Sequence, residues 1–175
     1  GNGALVKQLL ASGAQVNRTN ATGMTALSNA VFAGSRALVE LLIEHGATPG
    51  KPGEKGPVPL ILAVTNTNPE ILEVLLSNGA AVDEQDKIGR TALSWAVTRD
   101  NLQVINLLLD AGADPNLADL RGRTALMGAV KQRDLVTVKL LLEKGADPHA
   151  KDSKGMTALS WAEKLKDRAG QIDLI

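Results

Sequence analysis

Few side chains in this sequence could carry chemistry. There are two histidines, His45 and His149, two serines each followed by tryptophan, Ser94 and Ser160, and a series of carboxylates at Asp86, Asp119 and Asp152. A zinc helix needs a second histidine one turn away, and neither histidine has one. A nucleophilic serine needs a base at hand, and neither serine has one nearby in sequence. The aspartates would suit paired acid–base work if read singly. They recur every 33 residues, however, beside a glycine each time, which assigns them to turns where a carboxylate bonds nearby backbone. No glycine-rich phosphate loop is present. Cysteine is absent, which excludes disulfides and thiolate metal sites. These observations call for no active site, no metal and no cofactor, so the chain is read as a non-enzyme that acts by binding.

The elements that hold these residues follow from the same spacing. A heptapeptide begins at Thr25, Val58, Thr91, Thr124 and Thr157, each copy 33 residues after the last. Gly-Ala pairs at 13, 46, 79, 112 and 145 keep the step, as do glycines at 23, 56, 89, 122 and 155. A fixed period of this size marks a stacked repeat array. Within one unit, Asp86 to Arg90 reads as a turn and Thr91 as a helix cap. Leu93, Ala96 and Val97 form the inward face of a first helix. Val104 to Leu109 form a second, more apolar helix, ended by Gly112 and kept from continuing by Pro115. Neither helix pair can bury its apolar face alone, so the units must stack.

The Asp-x-x-Gly-x-Thr-x-Leu openings at 86–93, 119–126 and 152–159, the Leu-Leu-Leu runs and Gly-Ala-Asp-Pro-Asn at 112–116 resemble the ankyrin repeat family. The resemblance implies an all-α solenoid of antiparallel helix pairs with short β-hairpin loops along one edge. On this reading 1–175 is one repeat domain: a partial unit at 1–19, full units at 20–52, 53–85, 86–118 and 119–151, and a partial one at 152–175 that lacks most of its second helix. The array starts and stops in mid-repeat, as expected of a segment of a longer protein. The sequence departs from the family pattern at Ser28, Ser94 and Ser160, which stand where the family has a histidine that ties loops together. The Ser-Trp-Ala wording is reminiscent of fungal arrays. The loop over 48–57 is the most deviant, with prolines at 49, 52 and 57. In the same unit, Asn68-Pro69-Glu70 reads as a cap followed by a first-turn proline.

The family binds partners through hairpin tips and the exposed side of the first helix, on the concave face. By register, the tip, first-helix and loop positions from Lys87 onward include only cations among charged residues: Lys87, Arg90, Arg99, Arg121, Arg123, Lys131, Lys144, Lys154 and Lys164. Trp95 and Trp161 fall one helical turn before Thr98 and Lys164 and border this face. In the N-terminal half Met24, Phe32 and Leu62 are apolar candidates. Yet Lys plus Arg and Asp plus Glu each number 19, so the chain as a whole is neutral. A one-signed face on a neutral chain suits an acidic or phosphorylated segment of a protein partner. A nucleic acid or anionic lipid is the alternative, as is a role as targeting module of a larger enzyme. Stacking aromatics are too scarce to favour nucleic acid. No apolar run is long enough to span a membrane, and no signal peptide is visible. With cysteine absent as well, an intracellular location, cytoplasmic or nuclear, is expected.

Overall fold

A computed structural model of the chain describes residues 2–50 and 56–169, with side chains of 3–50 and 56–165. Two units divide it, at 1–86 and 87–175. The first contains α1 (Asn2–Ala11), α2 (Ala26–Phe32), α3 (Arg36–Glu44), α4 (Pro59–Thr65) and α5 (Pro69–Ser77). The second contains α6 (Ala92–Thr98), α7 (Leu102–Asp110), α8 (Ala125–Gln132), α9 (Leu135–Glu143) and α10 (Ala158–Ala169). Each full repeat is a helix pair: α2 with α3, α4 with α5, α6 with α7 and α8 with α9. Like helices then stack from repeat to repeat, α2 on α4, α3 on α5, α6 on α8 and α8 on α10.

Local chemistry fixes the helix starts. The hydroxyl of Thr25 accepts from the Ser28 amide at 3.1 Å, that of Thr91 from Ser94 at 3.3 Å, that of Thr124 from Met127 at 3.4 Å and that of Thr157 from Ser160 at 3.2 Å. Each satisfies an amide that the first turn leaves unpaired. Among the described first helices, α4 lacks this cap; Pro59 opens it instead, where a missing N–H costs nothing. The second helices α5, α7 and α9 are capped by Asn68, Asn101 and Asp134, whose side chains accept from the amide three residues on. At the other end, Gly112 takes φ +87° just past α7, and the Ala113 amide turns back to the Leu108 carbonyl.

The core is aliphatic and thin. Leu27, Leu60, Leu93 and Leu126 of the first helices are buried, with Ala30, Ala63, Ala96 and Ala129 one turn on. Alanine at this column lets neighbouring first helices approach closely. Leu42, Leu75, Leu108 and Leu141 provide the buried column of the second helices. Among the described residues there are no strands; the hairpins are tight turns. In one of them, the Asp119 amide donates to the Arg123 carbonyl at 2.9 Å and that of Gly122 to Asp119 at 2.8 Å. Successive tips are tied by single bonds, from Leu120 N–H to the Ile88 carbonyl and from Ser153 N–H to that of Arg121. Residues 51–55 of the proline-rich loop lie outside the described residues. The last helix, α10, runs for 12 residues where the other first helices run 7 or 8, through the positions where earlier repeats turn.

Thr137 of α9 violates the core pattern. It is fully buried at the position held by Val104 and Ile71 in preceding repeats, and its hydroxyl has no hydrogen-bond partner. The Thr137 side chain, followed by the Thr137 and Val136 amides, holds the Asp134 carboxyl below its ordinary range; the Thr137 amide donates to it at 3.0 Å, whereas the hydroxyl stays outside hydrogen-bonding geometry. A buried hydroxyl left unpaired is destabilising, whereas valine has the same shape without the polar atom. Thr137→Val is therefore expected to stabilise the protein by about 1 kcal/mol. Urea unfolding would check this, and a loss of stability would show that the hydroxyl contributes a bond after all.

Candidate protein-binding face

The turn residues set out the tips. Asp119 Oδ1 accepts from the amides of Arg121 and Arg123 at 2.8 and 3.0 Å. Asp152 Oδ1 repeats this with Lys154 and Met156 at the same distances, and Asn20 does so with Thr22 and Met24. These acids are structural, as the register of the sequence implies. The serines also bond locally: Ser94 Oγ donates to the Thr91 carbonyl at 2.9 Å, and Ser160 Oγ lies 3.1 Å from Thr157 Oγ1. His45 Nδ1 sits 2.8 Å from the Leu41 carbonyl. Among the described residues no group of side chains could hold a metal ion.

Asp152 is held through both of its oxygens. Its second oxygen, Oδ2, accepts from the Trp161 indole at 3.1 Å, which fixes the ring against the loop. Burial opposes ionisation of this carboxyl. The Met156 and Lys154 amides, the indole N–H and the Arg123 charge together outweigh it and hold its pKa below the ordinary value. A carboxyl depressed in this way stabilises the fold above its unfolded pKa of about 3.9, and that contribution is lost as pH falls through the folded value. Asp152→Asn, which keeps Oδ1 but places an N–H donor opposite the indole, should cost about 1–2 kcal/mol at neutral pH and much less near pH 3. Denaturant midpoints of both proteins at the two pH values test this; an equal gap at both would show that the charge is not what matters.

In the second unit, Arg90, Arg123 and Lys131 line one groove of ≈ 270 Å³ together with Trp161. Its floor is Ala125, Met127 and Gly128 of α8, and Ser94 and Thr98 of α6 face it across the stack. The Arg90 guanidinium lies over the Trp95 ring, 4.8 Å from its centroid, and the Lys164 ammonium lies 5.8 Å from that of Trp161. These are cation–π distances. Arg99 caps the end of α6 and is exposed. Lys87, Arg121 and Lys154 are exposed on the tips. Lys144 is not brought to the groove; its ammonium pairs with Asp110 at 2.8 Å. In the first unit Phe32 is 64% exposed at the end of α2, whereas Met24 and Leu62 are half-buried.

Several residues on this side serve the stack itself. Gln132 donates to the Thr98 carbonyl at 3.0 Å and Asn66 to that of Phe32 at 2.9 Å, each tying one first helix to the end of its predecessor. Asn17 and Asn116, three periods apart, clamp the next repeat: Asn116 donates to the Gly145 carbonyl and accepts from the Asp147 amide at 2.7 Å, and Asn17 does the same with Gly46 and Thr48. Their spacing was available in the sequence as a signal. Counting cations alone also passes over Gly128, which lines the groove; Ile88 and Leu120 are exposed on the tips.

No helix among the described residues is long and apolar enough to cross a membrane. No curated protein matches the chain. A family model of ankyrin repeats, by contrast, matches three overlapping stretches, 1–86, 48–119 and 93–173. With a 33-residue period, capped helix pairs and tip-to-tip bonds already in place, this chain belongs to the ankyrin repeat family, whose arrays are protein–protein interaction modules.

Proposed function

We propose that the face formed by the first helices and tips of the second unit binds an acidic or phosphorylated segment of a protein partner. The observation that carries this reading is the convergence of Arg90, Arg123 and Lys131 on one groove beside an indole. Arginine forks match carboxylates and phosphates bidentately, and tryptophan and arginine are the residue types on which binding energy concentrates. Asp119 is the one acid at the groove, and its Oδ1 is spent on the loop. The surrounding charge therefore remains positive.

The test uses labelled peptides rich in glutamate, with and without phosphoserine, titrated at low and moderate salt. The double variant Arg123→Glu, Lys131→Glu, matched to the parent by melting temperature, is expected to bind at least about tenfold more weakly. Affinity of the parent should fall as salt rises. Binding indifferent to salt and to both reversals would sink the electrostatic reading. Tighter, counterion-dependent binding to random-sequence DNA would favour a nucleic-acid role instead.

A further inference from the structure

At the groove one column of the repeat holds a glycine: Asn29, Leu62, Trp95, Gly128 and Trp161 follow one another at 33-residue steps. Nine residues after the turn acid, the third and fifth repeats carry Trp95 and Trp161, and the fourth carries Gly128. Asp152 uses its Oδ1 for two loop amides and its Oδ2 for the Trp161 indole. Asp119 makes the same two amide bonds through Oδ1. Nine residues on, Gly128 has no side chain to offer its Oδ2. Asp119 Oδ2 thus receives no indole from its own repeat, and Asp119 and Gly128 both line the groove of ≈ 270 Å³.

Resting on the acidic-segment reading above, we propose that this slot receives a tryptophan of the bound segment, whose indole N–H donates to Asp119 and replaces the ring that position 128 lacks. The surroundings select the donor. A partner lysine or arginine would meet Arg90, Arg123 and Lys131 and be repelled. A neutral N–H on a flat aromatic body meets no such penalty, and its ring face attracts those same cations. This surface already sets cations over indoles, Arg90 on Trp95 and Lys164 on Trp161. Acidic residues flanking the tryptophan would then lie against Arg123 and Lys131 at the rim.

The experiment compares fluorescently labelled Glu/Ser peptides that differ only at a central residue: tryptophan, 1-methyltryptophan, phenylalanine or glycine. The tryptophan peptide should bind about tenfold more tightly than the glycine peptide. Methylation of the indole nitrogen should remove most of that gain. Gly128→Trp, which fills the slot from within, should bind every peptide as the parent binds the glycine one. Asp119→Asn provides a second variant that preserves the loop, since Asn20 makes the same two amide bonds in the first complete repeat. It should erase the difference between tryptophan and its methylated form while leaving the glycine peptide bound at least as well. If all peptides bind the parent within about twofold of one another, the slot assignment is wrong and the acidic reading stands. If none binds even at low salt, both fall.

Discussion

Gly122→Ala is expected to cost about 3 kcal/mol, far more than the same change at Gly112. Both glycines hold positive φ, +70° and +87°, where a Cβ costs about 1–2 kcal/mol. Around Gly112 the space for that Cβ is open, with nothing within 4 Å. At Gly122 it would meet backbone: Asp152 Cα at 2.9 Å and the Ser153 amide nitrogen at 3.0 Å. Backbone cannot swing aside as a side-chain tip can, so the next loop must move. That loop contains the Asp152 carboxylate that fixes Trp161 at the groove, so the damage should reach the binding face as well. Gly89 repeats the arrangement against the Leu120 amide at 2.7 Å. Urea unfolding of the two alanine variants decides the matter. Equal costs would mean that the glycine is kept for its backbone angle alone, and that the loops do not stack as tightly as described.

The sequence was most informative where one repeat could be overlaid on the next. Threonine caps, the buried Leu and Ala columns and the glycine after each second helix all follow from residue type plus a 33-residue step. The turn between paired helices was less legible. Gly34, Thr67, Asp100 and Arg133 all adopt positive φ, but only the first is a residue whose presence announces it. The stack dictates the conformation at the other three. The groove lay in the sequence in inverted form. Trp95 and Trp161 draw attention, yet Gly128 between them also lines the groove, and a missing side chain leaves no mark unless columns are compared. Long side chains were the hardest to place: Lys144 has the register of a face residue, but its four-carbon stem reaches Asp110 across the repeat boundary. Charge at a position is thus a weaker guide to the binding face than the position of the backbone that carries it.

Leu108→Ala is expected to cost about 2–5 kcal/mol, against less than about 0.5 kcal/mol for Leu142→Ala. The two leucines look alike in sequence, each lying in a Leu-Leu-Leu run near the end of a second helix. Leu108 is 0% exposed where α7 packs on α6; truncating it removes transfer free energy and leaves a cavity that short, closely packed helices cannot collapse to fill. Leu142 is 42% exposed, and no further second helix lies beside α9 among the described residues. Its truncation strips apolar surface from water and opens no void. Leu141, one position earlier and 0% exposed, should behave like Leu108. Denaturant unfolding of the three alanine variants makes the comparison within one residue type. A Leu142 variant as damaged as the other two would show that α9 is covered on its outer side. The repeat holds together through the buried leucine column of the second helices, Leu42, Leu75, Leu108 and Leu141, with alanine-lined first helices drawn against it. Such a thin core leaves the tips and first-helix faces free to vary, and there Gly128 lines a groove without cutting into the buried leucine column.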